Sequence, residues 1–207
     1  MRAKSRTASL IDTIIVAGAA PLLKASGYRK IARSFHAPAD GLFKVVQFQT
    51  SPWNTPDSAQ FTVNLNIVLP YFHEKWTGLS FPRNPGSAAP IITQRIGQLM
   101  AGKRDLWWEV TPTSNIQSIS IQVGAALTEH GLPFLDQHST CDSLVQEAER
   151  KVSLQRVAVN NDLRLAILLN FQGKHVQAAR IVQEIAETNT HKPFAETISV
   201  IAKRLGL

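Results

Sequence analysis

FTVNLNIVL, at residues 61–69, carries the clearest structural signal in the sequence. Large apolar residues occupy every second position, and Thr62, Asn64 and Asn66 stand between them. A two-residue period is typical of a β-strand that buries one face and leaves the other polar. The stretch therefore predicts a strand of an antiparallel sheet, with Asn64 and Asn66 on one solvated face.

A second strand pattern, at residues 42–50, supplies a neighbour for this strand. If the two stretches pair as a meander, Gln47 and Gln49 face the two asparagines across the strands. The resulting carboxamide face is suited to hydrogen-bonding a ligand. The alternative is an ordinary wet outer face of an antiparallel sheet.

Other stretches complete the sheet. Strand patterns occur at residues 28–36, 91–96 and 106–111, and turn residues occur at 38–41 and 102–105. Pro, Gly, Ser and Asn dominate residues 81–90, which predicts a long surface loop. We expect an antiparallel sheet of about four or five strands.

Helical patterns flank the strands on both sides. The first helix is predicted at 10–26, with a kink at Pro21. A second is predicted from Ser114, with Gln117 completing a capping box, and is expected to stop at Gly131 and Pro133. The β-branched residues of 116–123 leave a strand as the alternative there. Another capped helix is predicted at 144–151.

The C-terminal part of the sequence predicts a small helical array. Residues 163–171 are nearly all apolar, Gly173 breaks that helix, a stripe follows at 176–186, and Pro193 opens a last helix. We predict an α+β core domain at 1–150. Residues 151–207 are expected to form an all-helical extension, a tetratricopeptide-like hairpin plus a terminal helix.

The composition indicates a folded protein of a reducing compartment. Hydrophobic residues make up 44% of the 207 residues and charged residues 18%. Cys141 is the one cysteine, which excludes an intrachain disulfide and a cysteine metal cluster. Three basic residues before the apolar stretch 10–23 imitate a signal peptide, but Asp12 interrupts it and it is too short for a membrane span. We expect a cytoplasmic protein without a membrane partner.

The net charge is concentrated at the N-terminal end. Eight Lys and Arg and two Asp and Glu occur through Thr50, which gives +6 of the total of +7. This excess is consistent with an acidic partner or nucleic acid, or with a solvated basic face.

Two motifs imitate known sites and fail. Residues 97–104 match a phosphate-binding loop except that Arg104 replaces the Ser or Thr that holds magnesium. His73 and Glu74 begin a zinc-protease motif, but Thr77 stands in place of the second histidine. We therefore predict no cofactor, no metal site and no nucleotide site.

A cysteine enzyme remains an alternative. His138 lies near Cys141 in the sequence, and Asp136 or Asp142 could orient the imidazole. The lone cysteine is otherwise expected to be a small packed hydrophobe. The catalytic status is left open, with a preference for no activity.

The pair Trp107 and Trp108 completes a candidate binding patch. Adjacent side chains of a strand point to opposite faces, so one ring is expected in the core and the other outward. Arg95 is predicted to form a buried ion pair with Asp105 or Glu109. The candidate patch comprises Gln47, Gln49, Asn64, Asn66, Arg95, Lys103, Arg104, Trp107 and Trp108.

Several short elements together resemble an uncharacterised bacterial family, number 4304 among the domains of unknown function. They are Gly27-Tyr28, the strand end at 47–51, 61–65, Arg95-Ile-Gly97, Asp105-Leu-Trp107-Trp108 and 131–135. The resemblance spans about residues 10–144. It implies an α+β cytoplasmic domain and supplies no catalytic residues.

These observations predict a non-enzymatic module that binds a protein partner. The first alternative is nucleic-acid binding through the basic N-terminal region, with a tryptophan stacked on a base. The second alternative is a small enzyme that uses Cys141 or histidines. The sequence leaves the oligomeric state open.

Overall fold

The structure is a computed structural model that describes residues 5–154, 159–189 and 191–207. Within these residues the chain forms six strands and nine α-helices, so the predicted α+β class is confirmed. Arg2 and Lys4, part of the basic N-terminal excess, lie outside the described residues.

The strands form one antiparallel sheet in the order β1-β2-β3-β4-β5. β6 also pairs with β4, so β5 and β6 lie end to end along the same side of β4 and do not pair with each other. The strands are β1 (Arg29–Ile31), β2 (Ser34–Ala39), β3 (Leu42–Thr50), β4 (Ala59–Val68), β5 (Ile92–Arg95) and β6 (Trp108–Val110).

The single strand predicted at residues 28–36 is two strands. The chain turns at Ala32, whose φ of 52° is left-handed, and β1 folds back onto β2. β1 is short, its three residues are all exposed, and it is basic at Arg29 and Lys30. Charged residues on a short edge strand oppose unwanted pairing with other chains.

The helices precede and follow the sheet. α3 begins at Pro70, which suits a first helical position. The helices are α1 (Arg6–Ile14), α2 (Ala20–Ala25), α3 (Pro70–Thr77), α4 (Ile116–Ala126), α5 (Leu132–Gln137), α6 (Cys141–Leu154), α7 (Val159–Phe171), α8 (His175–Thr188) and α9 (Lys192–Leu205).

Two π-helical turns carry the chain through its prolines. The turn Ile15–Ala19 joins α1 to α2, two residues before Pro21, and Leu127–Gly131 joins α4 to α5, two residues before Pro133. A π turn shifts the hydrogen-bond pattern and so relieves the missing donor and ring clash of proline. The predicted stop at Gly131 and Pro133 is therefore wrong, because the helix continues to Gln137.

Residues 116–123 are helical, so the strand alternative is excluded. The N-cap is Asn115, whose side chain accepts from the amide of Ser118 at 3.0 Å. Ser114 was predicted as the cap, but its hydroxyl accepts from the amide of Thr111 instead. The predicted N-cap was one residue too early, because serine and asparagine both cap helices well.

The helices cover one face of the sheet, called here the inner face. Phe61, Val63 and Leu65 of β4 point into this layer and are fully buried. The other face, the outer face, is partly covered by the loop at 81–90. Phe81 of this loop stacks on Phe43 of β3 with ring centroids 5.5 Å apart.

The C-terminal helices pack on α3. Arg204 of α9 donates to the carbonyls of Lys75, Trp76 and Thr77, which are free at the end of α3. Lys75 in turn donates to the carbonyl of Arg204 at 2.6 Å. The two helix ends therefore cap each other, and the extension shares the hydrophobic core of the sheet and its helices.

The first helical stretch is longer than the sequence indicated. Arg6–Ala25 is 20 residues and is apolar enough to cross a membrane by length and composition, so the expectation that it is too short is wrong. Ile11, Ile14 and Leu23 of this stretch are fully buried in the core beneath it. The cytoplasmic location remains a prediction.

Candidate functional site

A row of polar side chains crosses the outer face from β3 to β5. Gln47 lies opposite Asn64, and Asn64 lies opposite Arg95 in the strand register. The Asn64 amide donates to Oε1 of Gln49 at 2.8 Å. The predicted pairing of these carboxamide residues is therefore confirmed, because β3 and β4 pair as the meander requires. The expectation that Asn66 is solvated is wrong, because its side chain is buried.

Two members of the predicted patch are occupied within the protein. Gln47 donates to the carbonyl of Gly86 at 3.3 Å and so holds the loop at 81–90 on the sheet. Asn66 is buried and accepts from the hydroxyl of Thr93 at 2.6 Å. These two side chains support the surface from below and are not its contact points.

Arg95, Asp105 and Trp107 form one connected cluster at the end of β5. Arg95 and the indole nitrogen of Trp107 both donate to Oδ2 of Asp105. The Arg95 guanidinium also lies 5.1 Å from the centre of the Trp107 ring. The hydrogen bond from Arg95 lowers the pKa of Asp105, so this carboxylate is charged at neutral pH.

The ion pair differs from its prediction in burial. Asp105 is the partner, and Glu109 makes its side-chain contact with Ser58 instead. The side chains of Arg95 and Asp105 are 34% and 46% exposed, so the pair is open to solvent. Its role is to fix the orientation of the cluster, since exposed pairs contribute little stability.

The two tryptophans point to opposite faces, as predicted. Trp108 is 5% exposed and stacks on Phe61, with ring centroids 5.4 Å apart. It therefore belongs to the core. Trp107 is half-buried on the outer face, beside the polar row.

Lys103 and Arg104 are exposed on a tightly folded connection between β5 and β6. A Cβ on Gly97 would lie 2.3 Å from the carbonyl oxygen of Arg104, so the chain folds back closely on itself there. Lys103 has a φ of 43°, and no helix follows it. The segment thus lacks the helix N-terminus that a phosphate-binding loop requires.

These elements enclose an open groove of about 470 Å³ on the outer face. The Gln49–Asn64 pair and the Arg95–Asp105 pair both line it. Its lining residues are Gln49, Asn64, Thr93, Gln94, Arg95, Gln98 and Asp105.

The surroundings of Cys141 disfavour its thiolate form. Burial and the nearby Asp142 raise the pKa of the Cys141 thiol, whereas a reactive cysteine needs a lowered pKa. Nδ1 of His138 lies 2.8 Å from the carbonyl oxygen of Phe134, one turn earlier. Among the described residues, no group of three or more His, Cys, Asp or Glu could hold a metal.

Part of the basic N-terminal excess is neutralised. Arg33 pairs with Asp12 at 2.6 Å, and Lys44 pairs with Asp136 at 2.7 Å. Arg29 and Lys30 on β1 are exposed at the sheet edge, and Arg6 and Lys24 are exposed on the first helical stretch.

Trp53 is an exposed aromatic residue that sequence reasoning missed. It is 88% exposed on the loop between β3 and β4. Asn54 holds this loop by two hydrogen bonds with the backbone of Gln60, and the hydroxyl of Thr7 donates to the carbonyl of Thr55 at 2.9 Å. The turn residues around Trp53 were the available signal.

Comparison with known proteins gives one result. No curated protein and no solved structure matches the chain. The pattern of one protein family matches residues 19–137, which is more than half of the chain and lies within the predicted span of 10–144. The chain therefore belongs to the DUF4304 family, a domain of unknown function.

Proposed function

We propose that this protein is a non-enzymatic interaction module that binds a segment of a protein partner in the outer-face groove. The observation that supports this most is the set of polar side chains that line an open groove of about 470 Å³. Two of them, Arg95 and Asp105, contact the half-buried Trp107 beside the groove. We place its action in the bacterial cytoplasm, as part of the same proposal.

The Gln49–Asn64 hydrogen bond leaves complementary groups for a ligand. Each carboxamide has a donor end and an acceptor end. Because Asn64 donates and Gln49 accepts, the amide nitrogen of Gln49 and the carbonyl oxygen of Asn64 remain for a further partner. One donor beside one acceptor matches a peptide group, so an extended polypeptide suits this part of the groove.

The exposed positive charge next to the groove residue Asp105 favours an acidic segment. Arg95 and Asp105 neutralise each other, whereas Lys103 and Arg104 are exposed. Positive charges at the rim of an interface raise the rate of association with an acidic partner. They contribute less to affinity than the central contacts do.

Trp107 is the expected centre of the contact energy. Its ring is held by the hydrogen bond to Asp105 at 3.1 Å and by the Arg95 guanidinium. A tryptophan already fixed in position loses little conformational entropy on binding. Tryptophans in such positions often dominate interface energies.

The test is affinity capture from a lysate of the native cell, treated with nuclease. The variant carries Lys103→Glu and Arg104→Glu, and the control carries Arg29→Glu and Lys30→Glu at the far edge of the sheet. Both change the net charge equally at exposed positions. We expect the first variant to lose bound protein, because reversed charges beside the groove would repel an acidic segment, and the control to retain it. Equal retention by both variants would contradict the proposal.

Nucleic-acid binding is the second candidate, favoured by exposed Arg29 and Lys30 and by the exposed ring of Trp53. An exposed aromatic ring can stack on a base. Binding of this kind weakens steeply with salt, because lysine and arginine displace counterions from phosphates. Capture of nuclease-sensitive material, lost in the Arg29→Glu and Lys30→Glu control, would favour this candidate.

A further inference from the structure

Arg164 of α7 is a partly buried cation. Nη1 of its guanidinium donates to the carbonyl of Ile91 at 2.8 Å, which is its one hydrogen bond among the described residues. Its Nε is shielded from solvent and has no partner there. Burial lowers the pKa of Arg164, but an arginine stays protonated at neutral pH. The side chain therefore carries a full positive charge and still has N–H groups to donate.

The chain supplies no carboxylate to balance this charge. Arg164 takes part in no ion pair among the described residues. The side chains outside that description, at 1–4, 151–159 and 190, include no Asp or Glu. Removing a charge from water is costly unless a counter-ion accompanies it. A counter-ion for Arg164 therefore has to come from outside the chain.

Two aromatic rings of α3 hold the guanidinium in place. Its central carbon lies 6.0 Å from the centre of the Phe72 ring and 5.7 Å from the centre of the Trp76 ring. A ring face attracts a cation at this distance, but it carries no full negative charge. The rings therefore orient Arg164 without replacing a counter-ion.

A small cavity of about 20 Å³ adjoins Arg164 between β5, α6 and α7. Ile92, Leu144, Ala148 and Leu168 line it with apolar side chains. A space of this size holds one water-sized particle and is too small for a polyatomic anion such as sulfate. The cavity therefore limits any counter-ion of Arg164 to a single atom.

Glu147 also lines the cavity, but its charge is already matched. Nε and Nη2 of Arg150 donate to the two oxygens of this carboxylate, each at 2.8 Å. Such a bidentate pair is neutral overall. The net charge at the cavity is therefore the positive charge of Arg164.

We infer that this cavity binds a single chloride ion, which acts as the counter-ion of Arg164. A monatomic anion matches the size of the cavity, and the N–H groups of a guanidinium are strong donors to an anion. A water molecule would fill the same space but would leave the charge unbalanced. None of the lining residues belongs to the outer-face groove, so the inference is independent of the proposed function.

The bound ion connects the helical extension to the sheet. Arg164 lies on α7, Leu144 lies on α6 and Ile92 lies on β5, and all three line the cavity. Unfolding separates these elements, so the ion binds the folded chain alone. A ligand that binds only the folded state stabilises it in proportion to the logarithm of its concentration.

The test is thermal unfolding of the full chain in chloride, with sodium gluconate added to keep the ionic strength constant. Between about 10 and about 200 mM chloride, a site with a dissociation constant of about 10 mM shifts the folding equilibrium about tenfold. In a chain of this length that shift raises Tm by about 3–6 °C. Arg164→Met is expected to lose this rise, and Arg180→Met, at an exposed position on α8, is expected to keep it.

The two variants each lose one positive charge, so the general effect of salt on net charge changes equally in them. A wild type whose Tm does not respond to chloride would overturn the inference, as would an equal response in Arg164→Met. Sulfate stabilises proteins generally by exclusion from their surface, so it should raise Tm equally in wild type and Arg164→Met. An effect of sulfate that depends on Arg164 as strongly as the chloride effect does would contradict the size of the site.

Diffraction from crystals grown with bromide in place of chloride provides a second measurement. Bromide is a monatomic anion that scatters anomalously, so its position can be told from that of a water molecule. We expect an anomalous peak beside the Arg164 guanidinium in wild type. Density for water alone at that position would overturn the inference.

Discussion

Replacing Gly18 with alanine tests how closely the first helical stretch and α4 approach each other. The added Cβ would lie 2.3 Å from the carbonyl oxygen and 2.9 Å from the Cα of Ser120. Because both are main-chain atoms, no side-chain rotation relieves the overlap. The helices must separate or the substituted helix must shift.

The expected magnitude is the difference between two effects. Overpacking a close contact costs about 1–3 kcal/mol, and a main-chain clash belongs at the upper end of that range. Alanine is favoured over glycine within a helix by about 1 kcal/mol. We therefore expect Gly18→Ala to lower the free energy of unfolding by about 2 kcal/mol, or to lower Tm by roughly 4–8 °C.

Urea and thermal unfolding followed by circular dichroism measure this change. Gly124→Ala is the matched control, because its added Cβ would lie 3.0 Å from the carbonyl oxygen of Gly18, a milder contact. It is expected to cost less than Gly18→Ala. A Gly18→Ala protein that is more stable than wild type, as helix propensity alone predicts, would refute the close approach.

Three further predictions concern buried and half-buried groups. Among the residues that the structure describes, the buried Tyr28 hydroxyl has no hydrogen-bond partner. Burial, and after it the charge of Asp136, raises the pKa of Tyr28, so the folded protein keeps this proton at a pH where the unfolded chain loses it. The contribution of this group to the free energy of unfolding should therefore be fully present below about pH 10 and fall above it. Tyr28→Phe should reduce the loss of stability measured by denaturation at pH 11, and should not destabilise the protein at pH 7. Arg204→Ala should lower the free energy of urea unfolding by about 2 kcal/mol, because three carbonyls of α3 lose a charged donor. Arg204→Lys should lower it by less, and equal losses in the two variants would argue against the cap. Burial raises the pKa of Cys141, so iodoacetamide should alkylate it several-fold more slowly at pH 7 in the folded protein than in urea, as followed by mass spectrometry.

The strands were predictable where the two-residue period of a strand excluded the 3.6-residue period of a helix. The alternation at 61–69 admits only a strand, and the pairing of β3 with β4 then brought Gln49 and Asn64 together. The ion pair of Arg95 with Asp105 was predictable, because a turn after β5 brings the following residues back beside Arg95. Its exposure did not follow, because solvent access depends on which elements cover the strand end.

The helical errors have a different origin. The helix continues past Pro133 because a π turn precedes the proline. Tertiary packing stabilises such a turn, and the local sequence pattern carries no signal of that packing. α3 was not predicted, because its eight residues are too short for a clear apolar stripe. The exposure of Trp53 was missed because an aromatic residue is expected in the core unless the tertiary structure places it elsewhere.

A pair of tryptophan substitutions tests the proposed binding surface most directly. Trp107→Ala removes the ring at the outer-face groove, and Trp53→Ala removes the 88% exposed ring of the β3–β4 loop. Each variant is compared with wild type in nuclease-treated capture from the native lysate, quantified by mass spectrometry. The proposal predicts that Trp107→Ala loses the retained proteins at least tenfold, as loss of a hot-spot residue would, while Trp53→Ala retains them. Full retention by Trp107→Ala would contradict the claim that the outer face binds a protein partner.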